Sequence, residues 1–315
     1  MDSAADRALD KSPFAIRPSD QTQRIVQIID KELVMGGNLL RRLDTAYPGQ
    51  SHKNMAVYFL FRHDMGLLHG IATSMSGGCD VGTCTCLARA LLDGAFSLKY
   101  IVLENGQRRA AAYMLNFIAD CLNQHEMTDP TTSEGQKTFD IINASEVLHG
   151  IPTQEPNATC RKAHETMKAF LQEPLLGEVG AELESLKKAR GKRPISWYTL
   201  NGGPSNIREL AERVGMLDSY VLIYKDQSRF VHGTAAVLMG PGAGSDANDD
   251  DVDFHHMRME RLGSSVIFIA FHLMVVLTEK CFPGLKGVFE NWRDTEINPL
   301  MSAFSQNLHP NNRTT

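Results

Sequence analysis

The chain has 315 residues, 43% of them hydrophobic and 7% aromatic, a composition that can build a packed core without disulfides or metal. Lys and Arg number 32 against 37 Asp and Glu, so the net charge of -5 gives no global attraction to nucleic acid or to an anionic membrane, and any polyanion contact must be local. The 6 cysteines (Cys79, Cys84, Cys86, Cys121, Cys160, Cys281) are too sparse for a secreted disulfide scaffold, and the polar stretch Met1 to Asp20 has no signal-peptide pattern. A reducing cytoplasm is therefore the expected compartment.

Taken in order, residues 1–18 read as a disordered tail and residues 19–310 as one all-α domain, a multi-helix bundle. Its helical core is expected over 19–126 and 196–310, with a polar helical insertion at 127–195 and a flexible acidic loop at 239–253. Ser19 or Asp20 caps a helix to about Ala46, in which Ile25, Ile28, Ile29, Leu33, Leu39, Leu40 and Leu43 keep a helical period. A second helix runs from about His52 to Ser76 and stops at Gly77-Gly78; its apolar content predicts burial, although Arg62, His63, Asp64 and His69 interrupt it. A third spans about Cys84 to Glu104, and a fourth follows Asn105-Gly106 to about His125. Three consecutive helices on short links predict a bundle. Shorter helices are expected near 133–148, 158–172 and 176–190, then Ile207 to Val214, and two long ones near 254–282 and 285–307. The run Val266 to Leu277 is shorter than the ~20 residues of a membrane span and contains His272, so it reads as a core helix, and no membrane association is expected.

The densest polar pattern lies in Tyr220 to Gly233. As a helix, this segment places Tyr220, Tyr224, Ser228 and His232 on one face, because i and i+4 side chains stack. Val221, Leu222, Ile223, Phe230 and Val231 cover the other sides, so the helix should be buried nearly all round, with its polar stripe inside. A buried hydroxyl or imidazole left unpaired costs roughly 1–3 kcal/mol, so partners are expected from other helices.

Several motifs can be set aside. Gly240 to Gly244 lacks the Gly-Lys-Ser/Thr ending of a phosphate loop, and Asp246, Asn248 and Asp250 open like a calcium loop that then lacks its glycine and its glutamate. Cys79, Cys84 and Cys86 match no standard zinc spacing and read as two surface thiols and one buried one. The basic run Lys187 to Arg193 reads as a solvated helix end. Neither a metal nor an organic cofactor is expected.

Two polar pairs remain. Arg89 and Asp93, four residues apart on an apolar helix, form either an ion pair that orients helices or a device in which Asp93 holds Arg89 toward a ligand or His232. Arg62 and His69, with six residues between them, satisfy the loose Arg-to-His pattern of the HEPN superfamily, helical proteins that include metal-independent ribonucleases. In that chemistry histidine moves the proton of a ribose 2′-hydroxyl and arginine stabilises charge growing on phosphate. The competing reading is a core histidine beside a snorkelling or paired arginine.

The segment Trp197 to Tyr220, followed by Tyr224, Ser228, His232 and Gly233, and the upstream Arg89-Ala-Leu-Leu-Asp93, resembles the bacterial family named domain of unknown function 5677 over about residues 55–240. The resemblance implies an all-helical protein with a HEPN-like core and added helices, dimeric, and of no known activity. The family's recurring polar positions correspond to Arg62, Arg89, Asp93, Tyr224, Ser228 and His232; Asp93 stands where the family usually has a glutamate, which shortens its reach by one methylene.

The resulting expectation is one buried or half-buried pocket. His232, Arg89, Asp93, Arg62 and His69 would supply catalysis, and Tyr224, Ser228, Tyr220 and Arg229 would contact the substrate. Three functions fit it: a metal-independent endoribonuclease of toxin or phage-defence type acting on RNA as a homodimer, a non-enzymatic helical binding or regulatory module, or an enzyme or sensor for a small-molecule ligand.

Overall fold

The structure is a computed structural model that describes residues 16–46, 51–103, 105–145, 158–191, 194–225 and 249–308. The chain is all-α, with no strand among the described residues, and it divides into two compact units: residues 1–104 with 207–315, and residues 105–206.

Four long helices make the first unit: α1 (Asp20–Ala46), α2 (His52–Ser76), α3 (Val81–Val102) and, far along the chain, a helix over Asp249–Lys280. Short polar caps start the first three. The hydroxyl of Ser19 accepts from the Thr22 N–H at 3.0 Å, that of Ser51 from Asn54 at 3.2 Å, and the Asp80 carboxylate from Thr83 at 3.0 Å, each satisfying a donor that the first helical turn leaves unpaired. Helix α2 runs antiparallel to both neighbours, since Gly36 of α1 lies against Met65, and Gly94 and Leu87 of α3 lie against Asp64 and Gly70. The Asp249–Lys280 helix lies parallel to α1 and α3: Glu260 accepts from Ser19, Gly263 meets Ile25, and His272 meets Lys99.

Helix by helix, the fully buried side chains include Ile25, Ile28 and Ile29; Phe61, Leu68 and Ile71; Leu91, Leu92 and Phe96; and Val266, Ile269 and Leu277. Each such side chain contributes about 1.5–3 kcal/mol on burial. Among the close approaches in this core, two lie at Gly94 and Gly263. A Cβ on Gly94 would stand 1.9 Å from Asp64 Oδ1, and one on Gly263 would stand 2.5 Å from Ile25 Cγ2. Two helical stretches, Val81–Val102 and Val252–Lys280, are long and apolar enough to span a bilayer by length and composition; in the structure both pack into this four-helix core.

In the second unit, α4 (Gly106–Thr128) packs against α5 (Ser133–Ala144), α6 (Ala158–Phe170), α7 (Pro174–Arg190) and a 3₁₀ turn at Trp197–Thr199. Arg108 is its polar hub. It donates to Asn201 Oδ1, to Glu178 at 3.1 Å and to Glu182 at 3.3 Å, while Glu182 also accepts the Asn201 N–H at 2.6 Å. Tyr113 meets Trp197 edge-on at 5.2 Å. Lys187, Lys188 and Arg190 are exposed at the end of α7, as a solvated helix end requires; Lys192 and Arg193 lie outside the described residues.

The remaining elements of the first unit are α8 (Ile207–Arg213), α9 (Leu217–Ser219), a π-helical turn at Tyr220–Tyr224, α10 (the Asp249–Lys280 helix), a 3₁₀ turn at Pro283–Leu285, α11 (Lys286–Trp292), a second π turn at Arg293–Ile297, and α12 (Asn298–Leu308). Three local expectations are corrected here. Of Ile16 to Pro18, placed in the tail, Ile16 is buried with its N–H donating to Gly78 O at 3.2 Å, and the carbonyl of the exposed Arg17 lies 3.0 Å from His256 Nε2. Asp249 to Asp253, placed in the acidic loop, open α10, because an aspartate run suits the positive end of a helix dipole. The segment from Tyr220 is not buried all round, since Val221 and Leu222 are 49% and 64% exposed; only its tyrosine face packs onto α3. Residues 226–248, which include Ser228, Arg229, His232 and the glycine-rich loop, lie outside the described residues.

Candidate functional site

Of the predicted cluster, the structure brings Arg89, Asp93, Tyr220 and Tyr224 together. Arg89 and Asp93 share a face of α3 because they are four residues apart, and Arg89 Nε donates to Asp93 Oδ2 at 3.3 Å. The guanidinium lies over the Tyr224 ring, its carbon 3.0 Å from the centroid. Tyr220 stacks on Tyr224 at 5.1 Å, and the Phe96 ring lies tilted against Tyr224 at 6.1 Å. A tyrosine face is the negative pole of its quadrupole, so it attracts the cation that Asp93 holds in place.

Burial pulls the Arg89 pKa below its ordinary value, against the opposing charge and hydrogen bond of Asp93. Burial likewise raises that of Asp93, against the opposing pull of Arg89. Arg89 Nη1 is buried with no hydrogen-bond partner among the described residues, so the two N–H donors of that nitrogen remain unspent. The arrangement clamps the Tyr220–Tyr224 turn to α3.

Arg62 and His69 are elsewhere in character. Both are exposed on α2, as is His63, so the reading of His69 as a core histidine is corrected. Helix α2 is flanked by α1 and α3, and the exposed Phe59, Arg62, Gly66, His69 and Thr73 follow its outer face. A Cβ built on Gly66, between Arg62 and His69, would meet nothing within 4 Å. The one carboxylate of α2, Asp64, is turned inward and fully buried, which leaves its exposed ionisable side chains basic in type.

Sequence reasoning missed three groups. Asp64 on α2 and Glu32 on α1 are each 0% exposed, and all four of their carboxyl oxygens lack a hydrogen-bond partner among the described residues. Burial raises both pKa values well above the carboxylate range. The third group is a pair: Lys99 Nζ of α3 lies at hydrogen-bond distance, 2.9 Å, from His272 Nε2 of α10. Its signal was visible, because each residue is a polar interruption in one of the most apolar helices. Cys79 and Cys86 are exposed and Cys84 is buried, its thiol pushed up to about 12 by burial and, secondarily, by Cys79 and Asp80. No three or more His, Cys, Asp or Glu side chains among the described residues are grouped to hold a metal ion.

Residues 54–249 match the sequence model of a family described as Family of unknown function (DUF5677). No curated protein and no solved structure matches the chain.

Proposed function

Because the chain belongs to the family of unknown function DUF5677, a membership that brings no activity with it, we propose from the chain's own residues that it is a HEPN-like, metal-independent endoribonuclease of toxin or phage-defence type. The observation that carries this reading is the outer face of α2, where Arg62 and His69 stand exposed on either side of an unobstructed Gly66. Seven residues of helix separate them by about 10 Å along the axis and by a rotation of only about 20°, so their side chains can converge over the glycine. A phosphodiester bound there meets no carboxylate of α2, because Asp64 faces the core; this is the local attraction that the overall negative charge does not provide. His69 takes the proton of the 2′-hydroxyl as its oxygen attacks phosphorus, the bond from phosphorus to the 5′-oxygen breaks as that oxygen takes a proton from water, and Arg62 stabilises the negative charge that builds on the phosphoryl oxygens.

Incubation of the purified protein with RNA in the presence of a chelator tests this. Cleavage that leaves 2′,3′-cyclic phosphate ends, and that disappears separately in Arg62→Ala and His69→Ala, is the expected result. Both side chains are exposed, so each variant should keep its stability within about 0.5 kcal/mol, and loss of activity is then not loss of fold. Absence of cleavage by the wild type, or full cleavage by both variants, overturns the reading.

One observation favours a non-enzymatic binding module as the second reading: Arg89 is turned to internal contacts, its Nε on Asp93 and its face on Tyr224. Under that reading Arg89→Met loosens the turn and lowers stability with no change in any RNA cleavage.

A further inference from the structure

A cavity between the Tyr220–Tyr224 turn, α10 and α12 has no part in the RNA reading. It holds about 550 Å³, a volume suited to a small organic molecule. Leu222 and Ile223 of the turn, Met257 and Phe268 of α10 and Phe304 of α12 give it apolar walls, and Leu222, Met257 and Phe268 stand 64%, 57% and 53% exposed around it. Apolar side chains scattered singly over a surface need no explanation, but here they gather around one concavity built from three elements.

The polar part of the lining selects the ligand. Asp218 is already engaged: it accepts the Ser219 N–H at 2.8 Å, and its charge acts on the ammonium of Lys99, which does not itself line the cavity. Glu260 is half-buried and accepts from Ser19 Oγ at 2.8 Å through Oε1, which leaves Oε2 free. Arg261 beside it is exposed and pairs with no carboxylate among the described residues. The cavity wall therefore carries one unspent charge of each sign on the same turn of α10. The hydroxyls of Ser264 and Ser265 donate to the carbonyls of Glu260 and Arg261 at 2.8 and 3.0 Å, so both turn oxygen lone pairs outward. Ser264 lies one turn beyond Glu260 on the same face, which makes the two an acceptor pair. Phe304 adjoins that pair, because its carbonyl accepts from Gln21 at 3.4 Å while Glu260 accepts from Ser19, both at the start of α1.

We propose that this cavity binds a free α-amino acid with an apolar side chain. Its ammonium donates to Glu260 and to the Ser264 hydroxyl oxygen, its carboxylate accepts from Arg261, and its side chain lies against Phe304, Met257 and Leu222. A zwitterion answers both unspent charges at once. An amine of the same shape leaves Arg261 without an anion, and an acid of the same shape sets its carboxylate beside Glu260 with nothing to donate there. The proposal is independent of RNA cleavage, which rests on α2.

Isothermal titration of the full chain at about pH 7 with L-leucine and L-phenylalanine tests it. At least one of them should bind with a Kd below about 1 mM. Its amide, which lacks the carboxylate, and its N-acetyl derivative, which lacks the ammonium, should each bind at least about ten times more weakly, since each forfeits a charge-assisted hydrogen bond. Arg261→Met removes the partner of the carboxylate, and Glu260→Gln keeps an acceptor for Ser19 while removing the charge that meets the ammonium. Both variants should weaken binding of the amino acid about tenfold or more, and Arg261→Met, being exposed, should melt with the wild type. Absence of binding by both amino acids at about 10 mM overturns the proposal. So does an amide or N-acetyl derivative that binds as tightly as its parent, or undiminished binding by Arg261→Met.

Discussion

The two buried acids make a quantitative prediction, and Asp64 is the cleaner case. Its carboxyl is 0% exposed, lacks a hydrogen-bond partner among the described residues, and lies against the backbone of Gly94. Burial raises its pKa well above 3.8, so the folded protein holds the proton at pH values where the unfolded chain has released it. The sign follows from linkage. The folded-state pKa is the higher one, so stability is fully present below the unfolded pKa near 3.9 and falls as pH rises toward the folded pKa, by about 1.4 kcal/mol per pH unit. Asp64→Asn keeps the shape and the Gly94 contact but cannot ionise, so it removes this slope. Urea denaturation of wild type and variant at about pH 5 and about pH 6.5 should show the stability difference shifting in favour of the variant as pH rises, by at most about 1.4 kcal/mol per pH unit. Other carboxylates titrate equally in both proteins and cancel. A difference that stays constant, or shifts toward the wild type with rising pH, refutes the reading of Asp64 as a neutral buried acid. Glu32→Gln makes the same test for α1, where burial is also the cause of the raised pKa.

The other predictions concern packing, the clamp and the thiols. Gly94→Ala should destabilise by about 1–3 kcal/mol, since its Cβ would stand 1.9 Å from Asp64 Oδ1; Asp64→Ala in the same chain should return part of that loss, read as coupling in a double-mutant cycle. Tyr224→Phe should be nearly silent in thermal melts because the ring under Arg89 survives, whereas Tyr224→Leu should cost an additional ~0.5–2 kcal/mol that vanishes when Arg89 is Met. In the native protein near pH 8, iodoacetamide should modify the exposed Cys79 and Cys86 and spare Cys84, whose thiol at about 12 is protonated and covered; modification of Cys84 as fast as Cys86 would contradict the described burial.

How much was legible in the chain follows the range of the interactions involved. Helix existence and position were readable, because period, caps and breakers are local: the expected His52 to Ser76 helix is the observed α2, and Ser19 caps α1. The Arg89–Asp93 pair was readable for the same reason, being set by the pitch of one helix. What the Tyr220 segment would bury was not readable. Val221 and Leu222 are as apolar as core residues, and only the one-sided packing of that turn leaves them exposed.

Arg62, His63, Asp64 and His69 show the limit most plainly. Sequence alone placed four polar residues on one apolar helix; which of them faces inward depends on where α1 and α3 lie around α2. Tertiary packing turned Asp64 toward Gly94 and left Arg62 and His69 outside, reversing the expectation of a buried histidine. Lys99 and His272 are 173 positions apart, and no local rule relates them. They meet because α10 lies parallel to α3, a contact fixed by burial of apolar faces summed over four helices and not by any one stretch of chain.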